Sequence, residues 1–202
     1  RIISTYARLI YDYEDKYLFS ATVRRDGSSN FGINNRFGIF PAFSLGWVIS
    51  EESFFPKSNA IEFLKIRSSW GVNGNDRIPA LSYEALIVPG AAYSFGRNET
   101  VNTGATVLTL PNPNIKWEES VQFDIGLDAS LFAGRLTLEF DYFSKTTRDL
   151  LGGQIIPRYT GVTADPISNL GEFTNSGIEL GLRYRQSFGD LRFSSALNYS
   201  TF

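Results

Sequence analysis

Two pairs of neighbouring carboxylates, Glu51-Glu52 and Glu118-Glu119, are the residues of this chain that could by type serve as an acid and a base. Cleavage by such a pair needs both carboxyl groups flanking one bond. In a strand, immediate neighbours point to opposite faces, so neither pair can do this. Both fall at strand ends, where solvated rim charge accounts for them, and no catalytic residue is assigned. The chain has no histidine and no cysteine. That removes zinc centres, Cys-His nucleophilic pairs and the Ser-His-Asp arrangement. Neither a metal site nor a cofactor is expected, and the chain does not read as an enzyme.

Two glycine-rich stretches, Asp26-Gly27-Ser28-Ser29 and Gly71-Val72-Asn73-Gly74-Asn75-Asp76, could cradle an ion. Turn chemistry explains them as well, because Gly and Asn tolerate positive φ and Asp or Asn side chains cap local backbone. If either stretch binds a ligand, the candidates are Asn73, Asn75, Asp76 and Arg77, at the mouth of the longest loop. Their amide and guanidinium groups suit sugar hydroxyls or peptide groups.

The elements that must position these residues are strands. From Trp117 to Leu131, Val121, Phe123, Ile125, Leu127, Ala129 and Leu131 share one face; Gln122, Asp124, Gly126, Asp128 and Ser130 share the other. A period of two over this length excludes an amphipathic helix. It exceeds an ordinary soluble strand of about 5–6 residues and suits a membrane crossing of ~9–11. After the tight connection 132–135, Leu136, Leu138, Phe140 and Tyr142 oppose Thr137, Glu139 and Asp141, whose carboxylates require water on their side. The same alternation recurs at 7–13, 17–26, 43–49, 64–70, 178–185 and 191–199, giving eight strands. Ile10 interrupts the polar face of the first, and Pro41 stands near the start of the third.

The connections alternate in length. Those at 14–16, 132–135 and 187–190 are tight, whereas 28–35, 73–116 and 150–174 are longer; only 50–61 breaks the alternation. Membrane barrels have short turns at one rim and long loops at the other. Aromatic side chains near the short turns (Tyr11, Tyr13, Tyr17, Trp47, Phe54, Phe55, Phe132, Tyr184 and Phe188) predict an interfacial girdle. The 17 Phe, 10 Tyr and 3 Trp fit that picture, and a net charge of −2 offers no field for nucleic acid. The predicted fold class is therefore all-β: an antiparallel, up-and-down transmembrane β-barrel wall. Its inner charges would be Arg24, Asp26, Lys65, Arg67, Asp124, Asp128, Glu139, Asp141, Glu179, Arg183 and Arg185, facing a wet lumen. The chain lacks methionine, begins at Arg1 and reads as a fragment. Alone, it would expose two sheet edges and aggregate without detergent.

Several segments resemble the SusC/RagA-like family of TonB-dependent outer-membrane transporters. They are Arg24-Arg25-Asp26-Gly27-Ser28-Ser29-Asn30-Phe31-Gly32, Arg36-Phe37-Gly38, Phe40-Pro41-Ala42-Phe43-Ser44-Leu45-Gly46-Trp47, Leu64-Lys65-Ile66-Arg67-Ser68-Ser69-Trp70-Gly71, Asn112-Pro113-Asn114-Ile115-Lys116-Trp117-Glu118 and Asn175-Ser176-Gly177-Ile178-Glu179. Asn30 stands where the family commonly has Arg. The resemblance implies a 22-stranded barrel around a plug domain, of which residues 1–202 would be about a third of the wall, with the plug and remaining strands outside this chain. It further implies outer-membrane location, a SusD-like surface lipoprotein partner, TonB acting through the plug, and an oligosaccharide or peptide substrate. The rival readings are a passive porin or adhesin barrel and a soluble glycan-binding β-sandwich.

Overall fold

Alternation becomes eight long strands and two small hairpins in a computed structural model that describes residues 1–56, 58–162 and 164–202, the side chains of Phe95 and Arg158 excepted. In chain order these are β1 (Ile2–Tyr13), β2 (Tyr17–Ser28), β3 (Phe37–Val48), β4 (Ile61–Asn75), β5 (Ile87–Phe95), β6 (Thr100–Val107), β7 (Glu118–Leu131), β8 (Leu136–Arg148), β9 (Leu151–Gly153), β10 (Ile167–Asn169), β11 (Glu172–Phe188) and β12 (Leu191–Thr201). One antiparallel sheet runs β1-β2-β3-β4-β7-β8-β11-β12. Each strand pairs with its sequence neighbour once the hairpins β5–β6 and β9–β10, raised from the two longest loops, are set aside. Those hairpins were not expected from the sequence.

Register sorts the side chains into two chemically distinct faces. One rung across all eight strands reads Tyr13, Tyr17, Trp47, Ile66, Leu127, Phe140, Leu180 and Tyr199. The adjacent rung on the opposite face reads Asp12, Leu18, Gly46, Arg67, Gly126, Asp141, Glu179 and Ser200. Among the described residues no second layer covers the apolar face: Leu45 is 60% exposed, Ile125 43% and Phe123 40%. A sandwich would bury these side chains against a facing sheet about 10 Å away. The soluble sandwich therefore loses its core, and the apolar face is left to hydrocarbon.

Several strands run past the apolar pattern that announced them. β4 extends to Asn75, β8 to Arg148, and β11 begins at Glu172. Backbone pairing continues there, but side chains beyond the apolar band no longer need to be greasy. Pro41 is accommodated inside β3 because pairing with β4 stops at Ala42↔Gly71, so its missing N–H breaks no ladder bond on that side.

The buried core lies at the long-loop rim rather than between layers. Phe31, Phe40, Ile115 and Trp117 cluster there, flanked by Val72, Ile78, Tyr83, Leu151 and Ile167. The Trp117 ring is 5.1 Å from Phe31 and 5.3 Å from Phe40, and its Nε1 donates to the Arg36 carbonyl at 3.3 Å. Phe40 lies across Gly38 and Gly74, where any Cβ would overlap the ring.

At the short-turn rim the segment after β3 is tied back to the girdle through Glu52. Tyr17 Oη and Trp47 Nε1 both donate to Glu52 Oε1, at 2.5 and 3.1 Å. The Tyr17 hydroxyl, and after it the Trp47 indole, hold the Glu52 carboxyl below the ordinary glutamate range. Its contribution to stability is complete above that range and is gone once pH has fallen through the depressed value. Acid titration of the folded protein in micelles, followed by the Trp47 indole N–H resonance, should give a midpoint below that of free glutamate. A midpoint at the free value would remove the tie.

Candidate functional site

The inner face is built around Arg67. From β4 its guanidinium crosses β7 to reach β8, with Nε 3.1 Å from Asp128 Oδ1 and Nη2 2.7 Å from Asp141 Oδ2. The route lies over Gly126, which is paired with Arg67 on one side and Asp141 on the other. A Cβ at Gly126 would sit 2.5 Å from Asp141 Oδ1 and 2.7 Å from Arg67 Cζ, so the missing side chain is what lets the triad form. One rung further toward the long loops, Asp124 accepts from Ser69 Oγ at 3.2 Å and Gln122 Nε2 at 3.1 Å, and the Ser20 and Ser44 hydroxyls meet at 2.7 Å. Arg67, Ser69, Asp124, Ser20 and Ser44, with Asp12 and Lys65, line an open hollow of about 380 Å³ on the inner face. It can hold water or polar protein surface. Arg67 is already matched by two carboxylates, and Asp124, which accepts from Ser69 Oγ, is also held by Gln122. Among the described residues no group of three or more acidic side chains converges to hold a metal.

The four candidate ligand residues separate into two kinds. Asn75 and Asp76 are committed to holding loops together. Asn75 Nδ2 donates to Glu118 Oε1 at 3.0 Å, and Glu118 Oε2 accepts the Leu151 N–H at 3.0 Å, joining β4, β7 and β9. Asp76 Oδ2 accepts from Ser28 Oγ at 2.6 Å, and its carbonyl accepts from Asn30 Nδ2 at 3.0 Å. Asn73, by contrast, is no loop residue: it lies within β4, paired with Ser120 on the inner face, and is exposed. Arg77 is exposed just past the strand end, and its backbone N–H donates to Asn75 Oδ1 at 3.1 Å. Among the described residues, neither the Asn73 nor the Arg77 side chain has a hydrogen-bond partner.

Sequence reasoning missed the other asparagines of this rim. Asn112 Nδ2 donates to the Ile167 carbonyl at 2.9 Å, and Asn169 Nδ2 donates to the carbonyls of Lys116 and Asp149, both at 2.9 Å. Lys116 and Asp149 close the tie as an ion pair at 2.8 Å. The only sequence signal was the density of Asn beside Pro and Gly, which also marks ordinary turns.

Eight antiparallel strands with an exposed apolar face, a charged and hydrogen-bonded opposite face, and long loops at one rim define a wall segment of a membrane β-barrel. The chain belongs to the TonB dependent receptor-like, beta-barrel family, whose model matches residues 2–202. It is 40% identical over 201 residues to TonB-dependent receptor P3 of Formosa agariphila, an alignment covering 98% of this chain and 20% of that protein. It is 36% identical over 185 residues to TonB-dependent receptor SusC of Bacteroides thetaiotaomicron, covering 90% of this chain and 18% of SusC. The RagAB peptide transporter structure superposes with a TM-score of 0.83 at 28% identity, over 98% of this chain and 22% of that one. The SusC/RagA resemblance read from the motifs is borne out. The chain spans about a fifth of the length of the curated relatives it matches. The family is one of outer-membrane receptors and transporters rather than enzymes.

Proposed function

We propose that this chain forms part of the wall and outer loops of an energised importer in the outer membrane, which carries a bulky oligosaccharide or peptide inward. The observation that carries the reading is the pair of faces: an apolar rung unbroken over eight strands, backed by a rung bearing Asp12, Arg67, Asp141 and Glu179. A wall of that kind separates hydrocarbon from a wet interior. In the complete protein, residues 1–202 belong to a barrel whose lumen holds a plug domain; TonB acts through that plug, and a SusD-like surface lipoprotein closes over the long-loop rim. The relationship to SusC and the likeness to a structure named for peptide transport support import over passive diffusion.

Asn73 and Arg77 are the substrate-contacting residues on this stretch of wall, and Asn75 and Asp76 hold the rim that presents them. The test is uptake by cells carrying the full-length protein. Asn73→Ala with Arg77→Ala should lower uptake at limiting substrate about tenfold, with barrel yield unchanged, since each substitution removes about one polar contact. Asn75→Ala should instead lower the yield of folded barrel. Normal uptake by the double variant would remove these two residues from the site. Uptake that continues after TonB is deleted would remove the importer reading itself.

A further inference from the structure

Arg25 is out of place on the apolar face. It stands in a rung with Thr5 and Ile39, next to the rung Ile3–Gly27–Phe37, near the long-loop end of β2, and is exposed. Arg24, on the inner face, is matched by Asp26 at 2.6 Å. Arg25 forms no ion pair with any described residue; its guanidinium instead lies 4.0 Å from the centre of the Phe37 ring. Gly27 sets that stack, because a Cβ there would be 2.5 Å from Phe37 Cε1. A cation on a lipid-facing surface is tolerated near the interface, where an anionic headgroup can meet it.

A second arginine points the same way. Arg36, beside Phe37 in sequence, has a buried Nε without a partner, and forms no ion pair with a described residue. With Arg1, Ile3, Ser29, Phe37 and Tyr83 it lines a hollow of about 440 Å³. The floor of this hollow, Ile3 and Phe37, continues into the exposed apolar rungs through Ile39 and Val23. Arg36 lines the hollow, and Arg25 stands outside its lining, stacked on the Phe37 ring that forms part of it; with an apolar surface running from there onto the lipid face, the two fit a ligand with phosphate at one end and hydrocarbon at the other.

We propose that Arg25, Arg36 and the Phe37 ring seat the phosphate-bearing headgroup of an outer-leaflet lipid, its acyl chain descending along Ile3, Ile39 and Val23. The proposal rests on the apolar face lying against lipid. Guanidinium groups bind phosphate through paired, charge-assisted hydrogen bonds. The apolar floor is what selects a lipid over free phosphate.

The test uses the full-length protein in nanodiscs of phosphatidylcholine containing a minor fraction of bis-phosphorylated lipid A, with retained lipid counted by native mass spectrometry. The wild type should keep lipid A. Arg25→Gln with Arg36→Gln should keep about tenfold less or lower still. Arg148→Gln, at the same rim but facing Glu172 at 3.8 Å, should behave as wild type. Equal retention by the double variant overturns the proposal, as does equal retention of lipid A stripped of its phosphates. Displacement by inorganic phosphate at matching concentration would make this a free-anion site and overturns the lipid assignment. Wild-type protein that inserts as a heat-modifiable barrel yet keeps no lipid A sinks this proposal alone, whereas failure to insert sinks the membrane-wall reading with it.

Discussion

Gly126→Val in the full-length protein is expected to destabilise the barrel by about 2–3 kcal/mol, read as a lower urea midpoint in detergent or liposomes. The new side chain must occupy the space through which Arg67 reaches Asp141, with Cβ alone 2.7 Å from the guanidinium carbon. Arg67 cannot simply swing away, because Asp128 and Asp141, both about a quarter exposed, would lose their cation. The part-exposed setting keeps the electrostatic loss below that of a fully buried pair. A double-mutant cycle with Arg67→Met isolates the effect: once the guanidinium is gone, Gly126→Val should cost clearly less than it does alone. An unchanged midpoint for the single variant would show that strand β7 yields freely and that the crossing is incidental.

Ile125→Arg should be comparably damaging for a different reason. Ile125 stands near the middle of β7 on the exposed apolar face, in a rung with Ser68 and Tyr142. An arginine at the bilayer midplane of a barrel costs ~2–4 kcal/mol. The same residue introduced at Gln122, on the inner face beside Asp124, should cost a few tenths of that at most. Opposite outcomes for positions three residues apart on one strand are a direct assay of sidedness. Equal, small effects at both would falsify the assignment of the Phe123–Ile125–Leu127 face to lipid.

Much of this architecture was legible in the sequence because a sheet exposed to lipid on one side and water on the other must alternate. The 117–131 pattern lies within one residue of β7, and all eight sheet strands were foreseen. Where chemistry stopped constraining side chains, the reading shortened. β8 continues through Ser144 and Thr146, whose small polar groups suit the space beyond the bilayer but carry no alternation signal. The hairpin β5–β6 escaped for the same reason: small residues (Ala, Gly and Thr) are frequent in it, and its strands carry no sustained apolar–polar alternation. The inner charges could be assigned to a face, but not to partners. Arg67, Asp128 and Asp141 come from three strands, and only cross-strand register brings them together. At the rim, Asn73 and Asn75 looked equivalent; the neighbour Glu118, 43 residues away, is what makes one of them structural.

The apolar knot of Phe31, Phe40, Ile115 and Trp117 has a mechanical consequence for the loops it roots. Residues from β3, from the 29–36 connection and from the end of the 76–117 loop are locked into one dry node, with Leu151 and Ile167 of the third loop leaning on it. Each loop is therefore clamped at its base, like a cantilever set in masonry. Any bending of these loops must occur above that footing, which leaves the strand ends at the rim in place.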